Sequence, residues 1–264
     1  MSRNLYDSDV TTWSSGGKLF QVDYAGEAVK QGSATAGCKS KTHAVIVALK
    51  RSQAATLSSY QEKVFALDSH LGMSVSGLVA DARFLARYIR TECMNHRYMY
   101  DSNEPVSKIS DSIASKYHSH THRADKRPFG VGLLIAGYDN QGPHLLQTHP
   151  SGDIWSFKAT AIGSRSQSAR TYLEKHYEAF PECTLEELVI HALKALANTT
   201  GEDIKLNAQN TSIGIVGKGT EFEILDEEAA QKYLDRLQLL PGDVVAGGEV
   251  DEGNPDDIPP DTTM

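Results

Sequence analysis

Cysteine is scarce in this chain. Three residues in 264, Cys38, Cys93 and Cys183, are odd in number, far apart and free of any C-x-x-C spacing. That excludes a disulfide framework or a cysteine-built zinc site and fits reduced thiols in an intracellular compartment. Long apolar runs are also missing, since none reaches the ~20 residues that cross a bilayer. The polar start MSRNLYDSD has no signal-peptide core, so the expected location is the cytoplasm and nucleus, with no membrane partner. Basic charge is in deficit too. A net charge of -8 and a pI near 5.7 argue against a nucleic-acid partner. The small clusters Lys39/Lys41, Lys50/Arg51 and Arg123/Lys126/Arg127 are expected to be solvated faces or local subunit contacts. The most local deficit lies at the end: from Gly242 onward there are seven acidic residues and no Lys or Arg. Such a segment cannot bury enough apolar surface to order itself, so 241–264 reads as an acidic disordered tail.

What is present is an ordinary globular composition, 40% hydrophobic and 23% charged. After a short N-terminal segment, 1–17, which ends in the Gly/Ser stretch Ser14 to Gly17, a helix is predicted over Lys18 to Gln31. Its apolar residues Leu19, Phe20, Val22, Tyr24, Ala25, Ala28 and Val29 fall around most of the barrel at 100° per residue. A helix apolar at most azimuths needs cover from more than one side, and another protein is the expected cover. Gly32 follows as a helix C-terminal glycine suited to positive φ. The β-rich run Ala44 to Leu49 then reads as a central strand, so a helix precedes the first strands.

Further along, strands are predicted at Lys63 to Leu67 and Leu71 to Val75. A long amphipathic helix covers Leu78 to about Tyr100, and another, with Pro105 in its first turn, carries Ile109, Ile113 and Tyr117. Phe129 to Tyr138 is a buried strand, and hairpin signals stand at Asp139 to Gly142 and Ser151 to Asp153. Two more helices follow, the second opened by a Thr184/Glu187 capping box. Strands at Thr211 to Val216 and Glu221 to Leu225 precede a last helix over Asp226 to Leu237. Strand runs alternating with helix pairs give an α+β fold of two sheets face to face with helices outside each, spanning 18–240.

Signatures of chemistry fail in detail. GMSVSG (72–77) has the wrong spacing for a nucleophile elbow. Gly217-Lys218 lacks both the following Ser/Thr and the first glycine of a P-loop, and GVGLLI (130–135) lacks the last glycine of a dinucleotide fingerprint. No cofactor is implied. His118, His120 and His122 would share one face of an extended strand, which could suit a transition metal, but no fourth ligand stands beside them. They read as a variable surface loop.

Several motifs together carry a family resemblance. Tyr6, Trp13-Ser14, Gly17-Lys18, Gln21 to Ala25 and Glu27-Ala28 resemble the N-terminal signature of the proteasome α-type subunits. VKQGSATAG, LKR, RPFGVGLLIAGYD, IGSRSQSARTYLE and NTSIGIVGK are most similar to that family's type-1 branch. The resemblance implies the four-layer αββα sandwich of N-terminal-nucleophile hydrolases. It also implies a non-catalytic part in the α ring of the 20S core particle, which gates substrate entry and docks activators in ubiquitin-dependent and ubiquitin-independent degradation. The implied partners are sibling α subunits in a heteroheptameric ring, β subunits of the adjacent ring, and a regulatory particle or other activator.

Residue by residue, the resemblance places Ser33 where catalytic members carry their Thr, Leu49 where they carry an Asp, and Lys63 on their catalytic lysine. One match in three is a remnant, although an amidohydrolase that uses Ser33 after processing is the alternative from another class. A free-standing interaction domain is a third reading. Gly32, Lys63 and Leu78 match the pocket that receives activator tails. For the gate, Tyr6 and Asp7 match the first two residues of a Tyr-Asp-Arg motif whose Arg is Ser8 here, which removes its salt bridge. Tyr24 matches the tyrosine that holds the gate's reverse turn, and Ser15 stands in place of the adjacent Pro, with a looser turn expected.

Overall fold

The computed structural model describes residues 8–51, 61–201 and 205–239. Tyr6, Asp7 and the acidic tail 241–264 lie outside the described residues. Helix α1 (Phe20–Gln31) comes first, followed by β1 (Thr35–Lys39), β2 (His43–Leu49), β3 (Val64–Asp68) and β4 (Leu71–Gly77). The helix pair α2 (Val79–Tyr100) and α3 (Val106–Thr121) precedes β5 (Val131–Asp139), β6 (Gly142–Thr148), β7 (Ile154–Ser156) and β8 (Ala159–Ile162). Then come α4 (Ser166–His176), α5 (Leu185–Thr200), β9 (Thr211–Gly217), β10 (Thr220–Leu225) and α6 (Glu228–Leu239).

Two antiparallel five-stranded sheets form, ordered β10-β9-β2-β1-β8 and β3-β4-β5-β6-β7. The inward residues of both sheets make a shared layer that includes Ile46, Val64, Leu134, Leu145 and Val216. The outer face of the first sheet packs Val45, Val47 and Ile213 on Leu173, Leu193 and Leu196 of α4 and α5. The outer face of the second packs Met73, Val75 and Leu133 on Leu85, Ile89 and Ile113 of α2 and α3. Strands buried on both faces cannot alternate in polarity, which is why Ala44 to Ala48 and Val131 to Ala136 read as continuous apolar runs. The result is the expected αββα layering, with α1 lying against β4 and β5 at one end of the sandwich.

Local chemistry sets the helix ends. Thr184 and Glu187 form the capping box: the Glu187 N–H donates to Thr184 Oγ1 and the Thr184 N–H to Glu187 Oε2. Pro105 is the cap residue of α3 and not part of its first turn, and Asp139 Oδ2 accepts the Val106 N–H at 3.1 Å. The last helix starts and ends two residues later than its periodicity suggested.

Three expectations need correction. The first helix starts at Phe20, not Lys18, because Lys18 is held in a turn: the Ser14 N–H donates to Lys18 O at 2.9 Å and the Lys18 N–H to Ser14 Oγ at 3.0 Å. The histidines are not in a surface loop: His118 and His120 lie inside α3 and His122 caps its end, so the three share no strand face either. One helical turn apart, His118 and His122 stack at 3.9 Å, while His120 packs on Phe129. No cluster able to hold a metal occurs among the described residues. Finally, Lys50 is not a solvated residue: it is buried and pairs with Asp226 at 2.8 Å.

Candidate functional site: the junction of α1 with β4

Helix α1 buries one stripe, Val22, Gly26 and Val29, and leaves Tyr24 47% exposed beside Phe20, the two rings stacked at 6.2 Å. Its apolar surface therefore exceeds what the described residues cover. Ser76 Oγ donates to Val29 O at 2.9 Å and fastens the end of α1 to β4. Gly32 then turns the chain toward β1 with φ -63° and ψ 156°.

That geometry corrects the expected reason for the glycine. Its φ is negative and open to any residue; what it supplies is room. A Cβ at this position would lie 2.2 Å from both Gly77 N and Ser76 Oγ, well inside van der Waals contact. The Gly32 carbonyl also accepts the Ser164 N–H at 2.8 Å, joining the loop after β8 to the same junction.

Lys63 and Leu78 come to the same end of β4. The Lys63 carbonyl accepts from Val75 N at 3.2 Å, and its ammonium donates to Val75 O at 3.3 Å. Lys63 is only 3% exposed. Burial, with the charge of Arg51 adding to it, lowers the Lys63 amine to about 8. Leu78 is the cap residue of α2, its N–H donating to Gly130 O at 2.9 Å, and its side chain is 49% exposed. The three pocket residues named from the sequence are thus neighbours along Val75 to Leu78, although Lys63 faces inward and Leu78 outward.

The positions matched to a catalytic centre are arranged differently. Ser33 is buried in unbroken chain between α1 and β1, and its Oγ has no hydrogen-bond partner among the described residues. The Leu49 N–H donates to Ala34 O at 3.0 Å, which sets an aliphatic side chain at the end of β2. Ser15 sits exposed in a turn closed by Ser14, with Gly17 N donating to Ser14 O at 3.0 Å. Ser14 ties this turn through its main chain and its hydroxyl.

Sequence reading missed Arg51 and Ser76. Arg51 stood in the LKR run and was read as a solvated charge or local contact; it is exposed and makes two such contacts. Its main-chain N–H donates to Gln61 Oε1 at 2.8 Å and its guanidinium to Gln31 O, the carbonyl just before Gly32. The other basic clusters resolve into local contacts, Arg127 with Asp81 at 2.7 Å, Arg123 with Asp125 at 2.9 Å, and Lys41 with Glu182.

Comparison with known proteins adds an independent line. The family of proteasome subunits matches residues 29–216, and the N-terminal signature of the proteasome's α-type subunits matches residues 6–28. A proteasome alpha type-1 protein of Trypanosoma brucei rhodesiense is 57% identical over 263 residues, 99% of each chain. Proteins of the same name are 53% identical in Dictyostelium discoideum, over 90% of this chain and 96% of theirs, and 52% identical in Caenorhabditis elegans, over 91% and 92%.

Proposed function

This chain belongs to the proteasome subunit family, with the α-type N-terminal signature lying on residues 6–28, and from that premise we propose how it works. It is a non-catalytic α-ring subunit of the 20S core particle. It builds the outer ring, takes part in gating substrate entry, and receives activators at the junction of α1 with β4. The observation that carries this reading is α1 itself, a helix ahead of β1 whose apolar surface the described residues only partly cover.

The absence of catalysis follows from the same continuity. An N-terminal nucleophile needs its own free amine as base, and the nitrogen of Ser33 is an amide as long as α1 stays attached. Leu49 has no carboxylate with which to orient Lys63. Ser33 and Lys63 are remnants of a centre that α1 closes.

Lys63 serves binding in place of catalysis. A terminal carboxylate beside its ammonium would make a charge-assisted contact of about 1.5–3 kcal/mol, and Leu78 offers apolar surface for the adjoining tail side chains. Sibling α subunits in a heteroheptameric ring cover α1, β subunits of the adjacent ring lie below, and the location is the cytoplasm and nucleus, in keeping with three free thiols. Tyr6, Asp7, Ser15 and Tyr24 belong to the gate segment; with Ser8 in place of an arginine, this chain follows gate closure and does not lead it.

Activator-stimulated peptide hydrolysis by assembled particles tests the pocket. Lys63→Ala is expected to lower stimulation while assembly proceeds. Undiminished stimulation, with activator bound at this position of the ring to the wild-type extent, would contradict the role.

A further inference from the structure

Arg51 ties together the three segments that build the proposed pocket. It leaves the end of β2, its main chain is held by Gln61 two residues before Lys63, and its guanidinium reaches the last carbonyl of α1, next to Gly32. Neighbouring cations are neutralised, Lys50 by Asp226 and Lys30 by Glu27. Arg51 and Lys63 are not: neither makes an ion pair with a carboxylate among the described residues. In a chain of net charge -8, these two cations at the junction of α1 with β4, Lys63 buried and Arg51 exposed, have no carboxylate partner among the described residues and form a site that an anion would complete.

We propose that Arg51 is the second cation of the activator pocket, receiving the same polypeptide C-terminal carboxylate as Lys63 and so setting the pocket's demand for a free carboxylate. The inference rests on the pocket reading given above. The guanidinium now spends a donor on Gln31 O; the remaining donors of its planar fork suit a second oxygen of one carboxylate. Burial first, and repulsion from Arg51 second, depress the Lys63 amine, and an arriving anion relieves that repulsion as well as pairing with each charge. Arg51 also screens the negative end of the α1 dipole, which would otherwise oppose an anion at this spot.

The test uses assembled core particles and a photoreactive heptapeptide copying the C-terminus of an activator, with crosslinking to this chain read by mass. Arg51→Gln is expected to raise the half-saturating peptide concentration about tenfold, as loss of one charge-assisted contact would. Arg51→Lys should restore part of it, and a peptide with an amidated C-terminus should be insensitive to the substitution. Unchanged labelling in Arg51→Gln, with weaker labelling in Lys63→Ala and with the amide, overturns the role of Arg51 and leaves the pocket standing. Unchanged labelling in all three overturns the pocket as well. Competition by inorganic phosphate at concentrations matching the peptide would reduce the site to a general anion sink and contradict the carboxylate assignment.

Discussion

Lys63 carries a cost that its fold does not require. Burial and Arg51 bring its amine from 10.5 to about 8, so at neutral pH the folded state holds a desolvated charge that the unfolded chain exposes to water. The penalty is fully present below pH 8, shrinks as pH rises from 8 toward 10.5, and vanishes above that window. Lys63→Met is therefore expected to stabilise the full chain by about 2 kcal/mol at pH 7, and the gain should fade by pH 10 in urea unfolding. An equal gain at both pH values would contradict the assignment. Gly32→Ala should act in the opposite direction. Its backbone is unstrained, so the expected loss, about 3 kcal/mol, comes from the Cβ meeting Ser76 and Gly77; a midpoint equal to wild type would show that β4 yields without cost. From sequence the position of Gly32 at a helix end was legible but its reason was not. The neighbour that demands a glycine lies 44 residues away on β4, and no local pattern announces it. Arg51 escaped for the same cause, its partners being Gln31 and Gln61 on two other segments.

At the scale of elements, periodicity did well where one contact dominated. The helix pairs and buried strands were readable because apolar spacing follows the sheet each packs on. Boundaries moved where a side chain or a turn intervened, as at Ser14 before α1 and Pro105 before α3. The histidine run was read as a surface loop because it lies at the end of α3, where polarity weakens the helical pattern. For α1 the sequence pointed to cover on several sides, and the described residues bury one stripe, Val22, Gly26 and Val29. Tyr24→Arg, on the exposed face, should change the stability of the isolated chain by less than about 1 kcal/mol while reducing incorporation into core particles seen by native mass spectrometry. A chain that unfolds on this substitution would place Tyr24 in its own core instead of at a shared surface.

For the whole molecule, one arrangement accounts for both the loss of catalysis and the gain of assembly that we propose. Helix α1 stands in front of Ser33, the position that the proposed function matches to a nucleophile. Ser33 is buried after α1, Gly32 lies against β4, and Lys63 and Leu78 stand at the same end of that strand, where the proposed function puts the activator tail. The central claim is that α1 stays attached throughout the life of the particle. Intact mass of this chain, released from core particles isolated after turnover, tests it most directly. The account predicts a chain that still contains residues 20–31 joined to Ser33; a mature form beginning at Ser33 would contradict it.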